Sequence, residues 1–356
     1  MSARERWLAF MDAKPVDRLP FWAKTSASYI AHRQNEGDII TEPVPGSPWQ
    51  WTDDCIINQE NLWQCDVKDD TRRECFTTSI GTTELIYRYD HLSGSYYPEK
   101  HAINTLDDIK IMTEWFLAAK PSLDEKRLEN ALQSITKMKQ EENCINSVIS
   151  GASPFLYYVV HLAGLENANL LMMDFHEDVE ALLDAALSHM ISRLKLHLEL
   201  MKPDICLFVE NMSTMLVSPN QFHDYALPHI KILNDICNKH NGRMAMQMPG
   251  HISAILNDLA SIDSLIIEGI CSPPVGDTTL DIMRNHCPNT RIAGGTNAAL
   301  WMKSAESVIE ELSKNLDAMP HHRGVAITSS DMIPPATPFD TITKVADFIN
   351  SYPIKS

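Results

Sequence analysis

From about residue 140 onward the sequence alternates short apolar runs with longer stretches of helical spacing. The runs are NSVIS at 146–150, ICLFVE at 205–210, MAMQM at 244–248, SLIIEG at 264–269, RIAGG at 291–295 and GVAITSS at 324–330. Each is bounded by turn residues and reads as a strand buried on both faces. The intervening stretches carry helix signals. SPNQFHDYALPHIKILNDICNKH at 218–240 opens with Ser218 as N-cap and Pro219 at the first helical position. TLDIMRNH from Thr279 and SAESVIEELSKNL after Lys303 have the same character. Strand alternating with helix at this pitch means βα units and a parallel sheet, and six or more units in one chain predict an α/β fold of the (β/α)8 TIM barrel type. LPFW at 19–22 is the expected first strand. The segment from about 36 to 112, rich in Trp, Asp and Thr, lacks that pitch. It reads as an excursion of loops and hairpins covering the barrel mouth, within a single domain spanning 1–356.

Barrel enzymes carry their reacting groups on the loops that follow the C-terminal ends of the strands. The polar residues at the predicted strand ends are Lys24, Glu210, Asn211, Gln247, His251, Glu268, Thr296, Asn297, Ser329, Ser330 and Asp331. Any one of them can instead cap the following helix, as a Ser, Thr, Asn or Asp at that place commonly does. Glu210 and Glu268 resist this reading, because a carboxylate within an apolar run costs several kcal/mol of desolvation (~2–7 for a polar group without partners) unless it is paired or used. Gln247 and His251 flank a Pro249-Gly250 corner, where a strand ends and a helix begins.

Composition removes whole classes of function. A chain of 356 residues, 44% hydrophobic and 22% charged, has the make-up of an ordinary globular protein. It contains no apolar stretch of the roughly 18 residues a membrane span requires, and its start lacks a signal-peptide pattern, so the expected compartment is the cytoplasm. The eight cysteines are scattered without a CxxC pair, which fits free thiols rather than a disulfide frame. A net charge of -17 opposes both nucleic acid and anionic membrane as partners. The sequence also lacks the nucleophile elbow, the phosphate loop and the dinucleotide fingerprint.

Several longer stretches carry a resemblance to a known family. They are RERWLAFMDAKPVDRLPFW at 4–22, TTSIGTTEL at 77–85, the 204–231 segment with its SP-x-x-F and P-H-x-K spacings, and the 248–280 segment containing PP-x-GD. RIAGGTNAAL at 291–300 and SSDMIPPATPFDTI at 329–342 complete the set. Together these resemble the uroporphyrinogen decarboxylase superfamily, on the branch of corrinoid-dependent methyltransferases. The decarboxylases of that superfamily have an Arg-bearing RQAGR loop after the first strand, where this chain has AKTSASY at 23–29. The methyltransferases commonly carry a His-x-Cys-Gly element and a distant Cys as zinc ligands, and the corresponding positions here are Gln247, Pro249 and Asp331.

The resemblance therefore implies a methyltransferase that moves a methyl group between a small methylated donor, an ether or an amine, and a corrinoid carried on a partner protein. It implies Glu210, Glu268 and Asp331 as catalytic groups, and Lys24, Asn211, Gln247 and Asn297 as substrate-binding groups. A harder zinc site would draw on His251, Glu210, Glu268 and Asp331, with Cys271 as a further candidate. Two alternatives stay open: a decarboxylase or lyase acting on a smaller acid held by Lys24, and a noncatalytic ligand-binding protein.

Overall fold

The computed structural model describes residues 1–40, 49–52, 54–57, 62–91, 95–140 and 143–355. Eight parallel strands curl into a nearly closed barrel. In chain order they are β1 (Phe21–Trp22), β2 (Trp49–Thr52), β3 (Ile145–Gly151), β4 (Ile205–Val209), β5 (Met244–Gln247), β6 (Ile266–Ile270), β7 (Arg291–Gly295) and β8 (Val325–Thr328). Each of β2 through β7 pairs in parallel with the next, and β8 pairs with β1, with Trp22 opposite Thr328. Seven of these strands fall on the apolar runs read from the sequence. The exception is β2, which lies inside the segment read as an excursion. It is four residues of alternating Trp and polar side chains, too short to show a period of its own.

What remains of that segment includes a four-stranded antiparallel meander, Trp63–Lys68, Thr71–Thr77, Thr82–Asp90 and Ser95–Lys100. It rests on helix Leu106–Ala118 through the edge-to-face contact of Phe76 with Trp115. It also reaches the segment that leaves β3, where the Tyr87 hydroxyl lies 3.3 Å from His161 Nδ1. No helix among the described residues is long and apolar enough to cross a membrane. Among the described residues, none of the cysteines forms a disulfide.

Alternation along each strand sorts its side chains between two clusters. Cys206 and Phe208, Met244 and Met246, Ile267, and Ile327 join the outer core under the helices. Ile205 and Leu207, Ala245, Ile266, Ala293 and Ala326 fill the barrel interior. Helix Ala3–Met11 adds Trp7, Phe10 and Met11 to that interior cluster. Trp7 meets Trp49 edge-on, and Trp49 stacks on Trp22 with ring centroids 4.6 Å apart. The first helix therefore plugs the lumen and packs beneath an aromatic floor. That leaves the C-terminal face as the way into the barrel.

Candidate active site

The two-residue period of a strand sends the last inward position of four barrel strands to the mouth. Lys24 follows the interior residue Trp22 at that spacing, Gln247 follows Ala245, Glu268 follows Ile266 and Thr328 follows Ala326. Three of the four converge. Lys24 Nζ donates to Glu268 Oε2 at 2.5 Å and to the Ser330 carbonyl at 2.9 Å. Thr328 Oγ1 donates to the other carboxylate oxygen at 2.8 Å. The Lys24 ammonium also lies over the Trp22 ring, 5.0 Å from its centroid. Lys24 is only 4% exposed and Glu268 1%. Burial pushes the Glu268 carboxyl above its ordinary range, while Lys24 and Thr328 pull it back and Asp331 adds to the push. A buried pair of this kind owes its stability to complete hydrogen bonding, and the two charges stand or fall together.

The loop after β8 holds this pair in place. Ser329 Oγ accepts from the Lys24 backbone N–H at 3.0 Å. Ser330 adopts φ +61° and donates its hydroxyl to the Ile270 carbonyl at 3.0 Å, which presents its own carbonyl to Lys24. Gln247 stands next to this group, opposite Glu268 in the β5–β6 register. Its side chain is half-buried and has no hydrogen-bond partner among the described residues.

Glu210 lies elsewhere in the wall. It follows Val209 and has the outward parity of Cys206 and Phe208. Its carboxyl is 1% exposed and is held by Ser153, whose backbone N–H donates at 2.8 Å and whose hydroxyl donates to the second oxygen. Burial pushes it up to about 7, against the pull of these two bonds. Ser153 is also the N-cap of helix Pro154–Tyr157. The sequence reading missed Ser153, although Ser153-Pro154 after β3 repeats the Ser218-Pro219 signal that was recognised after β4. It missed the role of Thr328 as well, because one hydroxyl at a strand end gives no periodic signal.

The other expected residues have local duties. Asn297 Oδ1 accepts from the Leu300 N–H at 2.9 Å, capping helix Ala298–Trp301, and its amide donates to the Ser272 carbonyl. Asp331 is exposed on the rim and caps the Met332 N–H at 2.8 Å. Asn211 is exposed with φ +43°, and its backbone N–H donates to the Gln247 carbonyl. His251 sits on the loop after β5, with Nδ1 3.9 Å from Asp277 Oδ2. Cys271 donates to the Pro249 carbonyl, and burial pushes its thiol up to about 12.

The structure thus does not gather Glu210, His251, Glu268 and Asp331 as the zinc reading expected. Among the described residues, no group of three or more His, Cys, Asp or Glu side chains is placed to hold an ion. Glu268 is neutralised by Lys24, Glu210 faces Ser153, and His251 leans toward Asp277. These donors do not fit a metal as they stand, and no chemical step is routed through one.

The uroporphyrinogen decarboxylase (URO-D) family profile matches residues 96–352. The chain belongs to the uroporphyrinogen decarboxylase family. No curated protein matches it. A solved methyltransferase from Methanosarcina mazei is similar in fold, with a TM-score of 0.61 at 14% identity, covering 98% of each chain. In this family member the matched span takes in Gln247, Glu268 and Thr328, whereas Lys24 lies ahead of it, just after β1. The pair that anchors the mouth therefore joins the matched span to the part of the barrel outside it.

Proposed function

We propose that this protein is a methyltransferase that takes a methyl group from a small methylated donor bound in the barrel mouth and delivers it to a corrinoid held by a partner protein. The observation that carries the reading is the commitment of Lys24 to Glu268. A decarboxylase acting on a polycarboxylate needs cations free to bind its substrate, and the cation following β1 is already neutralised inside the fold. Methyl transfer instead needs a proton for the departing heteroatom. The proton shared by Lys24 and Glu268, with Thr328 on the other carboxylate oxygen, lies beside the mouth, and the pair is placed to pass it to that heteroatom. Gln247 orients the donor beside it. The corrinoid, when present on its carrier, supplies the methyl-accepting cobalt. The likeness in fold to a methyltransferase from Methanosarcina mazei supports the same reading.

The test is anaerobic incubation of the full chain with reduced cobalamin and a panel of methyl ethers and methylamines, following methylcobalamin by its visible spectrum. Methylation that depends on the protein and falls in Glu268→Gln supports the proposal. Release of carbon dioxide from small carboxylic acids without any corrinoid would favour the lyase alternative. Ligand binding unchanged in Glu268→Gln, with no turnover of any donor, would favour a noncatalytic binder.

A further inference from the structure

Four hydrogen bonds close a ring around the buried pair. Lys24 Nζ donates to Glu268 Oε2 at 2.5 Å and to the Ser330 carbonyl at 2.9 Å. The Ser330 backbone N–H donates to Thr328 Oγ1 at 3.1 Å, and Thr328 Oγ1 donates to Glu268 Oε1 at 2.8 Å. Ser330 serves both ends of the ring because its backbone turns left-handed, at φ +61°, a conformation that costs a serine energy. Its hydroxyl, bonded to the Ile270 carbonyl, ties that turn to β6.

The chemistry of the donors fixes where the hydrogens go. A backbone N–H only donates and a carbonyl only accepts. Thr328 Oγ1 carries one hydrogen, and with the Ser330 N–H on its lone pair that hydrogen goes to Glu268 Oε1. An ammonium carries three, and Lys24 spends two of them on Glu268 Oε2 and the Ser330 carbonyl. The third meets no protein acceptor among the described residues, and the Trp22 ring lies beside it with its centroid 5.0 Å from Nζ. Both Glu268 oxygens thus accept, one of them from a cation, which is the arrangement that holds a carboxyl ionised. Two further titratable groups face Glu268: Asp331, exposed on the rim, and Cys271, whose thiol burial keeps protonated.

We infer that the proton of the pair rests on Lys24, with Thr328 as the positioning residue that keeps it there and the third Lys24 hydrogen as the one offered to a ligand in the mouth. The inference rests on the methyltransferase reading only for the use of that proton. On transfer the N–H bond at Nζ breaks, its electron pair stays on the nitrogen, and the proton bonds to a lone pair of the departing heteroatom. The Glu268 carboxylate, left beside a neutral amine, then favours the return of a proton from solvent to Lys24. Without the Thr328 hydroxyl the carboxylate keeps one donor instead of two, and the protonated form of Glu268 gains.

The experiment is carbon-13 NMR of the full chain labelled at the glutamate side-chain carboxyls, followed from pH 5.5 to 8.5 with no ligand present. The two buried signals are assigned by their loss in Glu268→Gln and Glu210→Gln. At pH 7 the wild-type Glu268 should give a carboxylate signal, while Glu210, which has no cation beside it and is raised to about 7, is half protonated. Thr328→Val keeps the side-chain shape and should raise the protonated-to-ionised ratio of Glu268 about tenfold at a given pH, the equivalent of one pH unit. Thr328→Ser restores the hydroxyl and should return the ratio to its wild-type value, which a purely steric role for Thr328 would not do. The wild-type spectrum alone locates the proton, so the test stays decisive if Thr328→Val fails to fold. A protonated Glu268 in the wild type at pH 7, an unmoved ratio in Thr328→Val, or an equal shift in Thr328→Ser would overturn the inference. Methyl transfer plays no part in the measurement, so its absence would sink the reaction and leave the proton on Lys24.

Discussion

Glu210 offers a measurement of the interior that needs no substrate. Its carboxyl is pushed up to about 7 by burial, from an ordinary value of 4.5. A carboxyl raised in the folded state favours folding below its unfolded value, and this contribution is lost as pH rises through the folded value. The lost stability at high pH is on the order of 3 kcal/mol, since each unit of displacement is worth about 1.4 kcal/mol. With the group 1% exposed, solvent screening does not reduce that figure appreciably. Glu210→Gln keeps a neutral group of the same shape and titrates nowhere in this range. The variant should therefore gain on the wild type as pH rises. Over pH 5.5 to 8.5 the difference between their unfolding free energies should change by about 2 kcal/mol, the part of the titration that falls within the window. The lower limit stays above the sequence isoelectric point of about 5.2. Urea denaturation followed by tryptophan fluorescence at both pH values measures this directly. If the two stability profiles run parallel, Glu210 does not hold its proton near neutrality and the reasoning from its burial fails.

The remaining predictions concern single contacts. Lys24→Met should destabilise the fold by about 3–5 kcal/mol at neutral pH, because it leaves Glu268 buried without its cation, and Lys24→Met with Glu268→Gln should recover much of that loss in the same urea assay. Asn297→Ala should cost about 1 kcal/mol through loss of the cap on Leu300 and leave ligand affinity unchanged by calorimetry. Gly250→Ala would place a Cβ 2.4 Å from the Met212 carbonyl oxygen and 2.6 Å from Ser213 Cβ, so it should lower the melting temperature and displace the loops after β4 and β5. Arg284 is 2% exposed and donates to the carbonyls of Cys287, Pro288, Thr290, Arg323 and Gly324. Arg284→Met should destabilise by more than about 3 kcal/mol, since each buried carbonyl left unpaired costs about 1–3 kcal/mol.

The barrel was legible where physics writes a period into the sequence. Strands buried on both faces must be apolar throughout, so β3 to β8 stood out as runs, and the helices between them announced their starts with Ser218-Pro219, Thr279 and Ser304. β2 was hidden because four residues cannot show a period and because Trp49 and Trp51 resemble loop aromatics until they meet Trp22. The site was harder to read. Strand ends told which residues could reach the mouth, but pairing is a three-dimensional fact: Lys24 and Glu268 lie 244 positions apart in sequence. Parity could have separated Glu210 from Glu268 in advance. Glu210 comes after five apolar residues of β4 and takes the outward phase, whereas Glu268 is the third residue of β6 and takes the inward one.

That difference of phase turns two similar sequence signals into two kinds of chemistry. Both carboxyls are almost fully buried and both are raised by burial, yet only Glu268 has a cation beside it. Glu210 is bonded by neutral donors alone, so near neutrality its proton is the only thing that relieves the cost of burial. Glu268 is relieved by Lys24, and the proton that the pair shares is the one at hand for a ligand at the mouth. On this ground Glu268 rather than Glu210 belongs to the chemistry of the mouth. Glu210→Gln should accordingly leave donor binding intact while changing the pH dependence of stability, and Glu268→Gln should suppress turnover by at least the ~10²-fold range typical of a lost general acid.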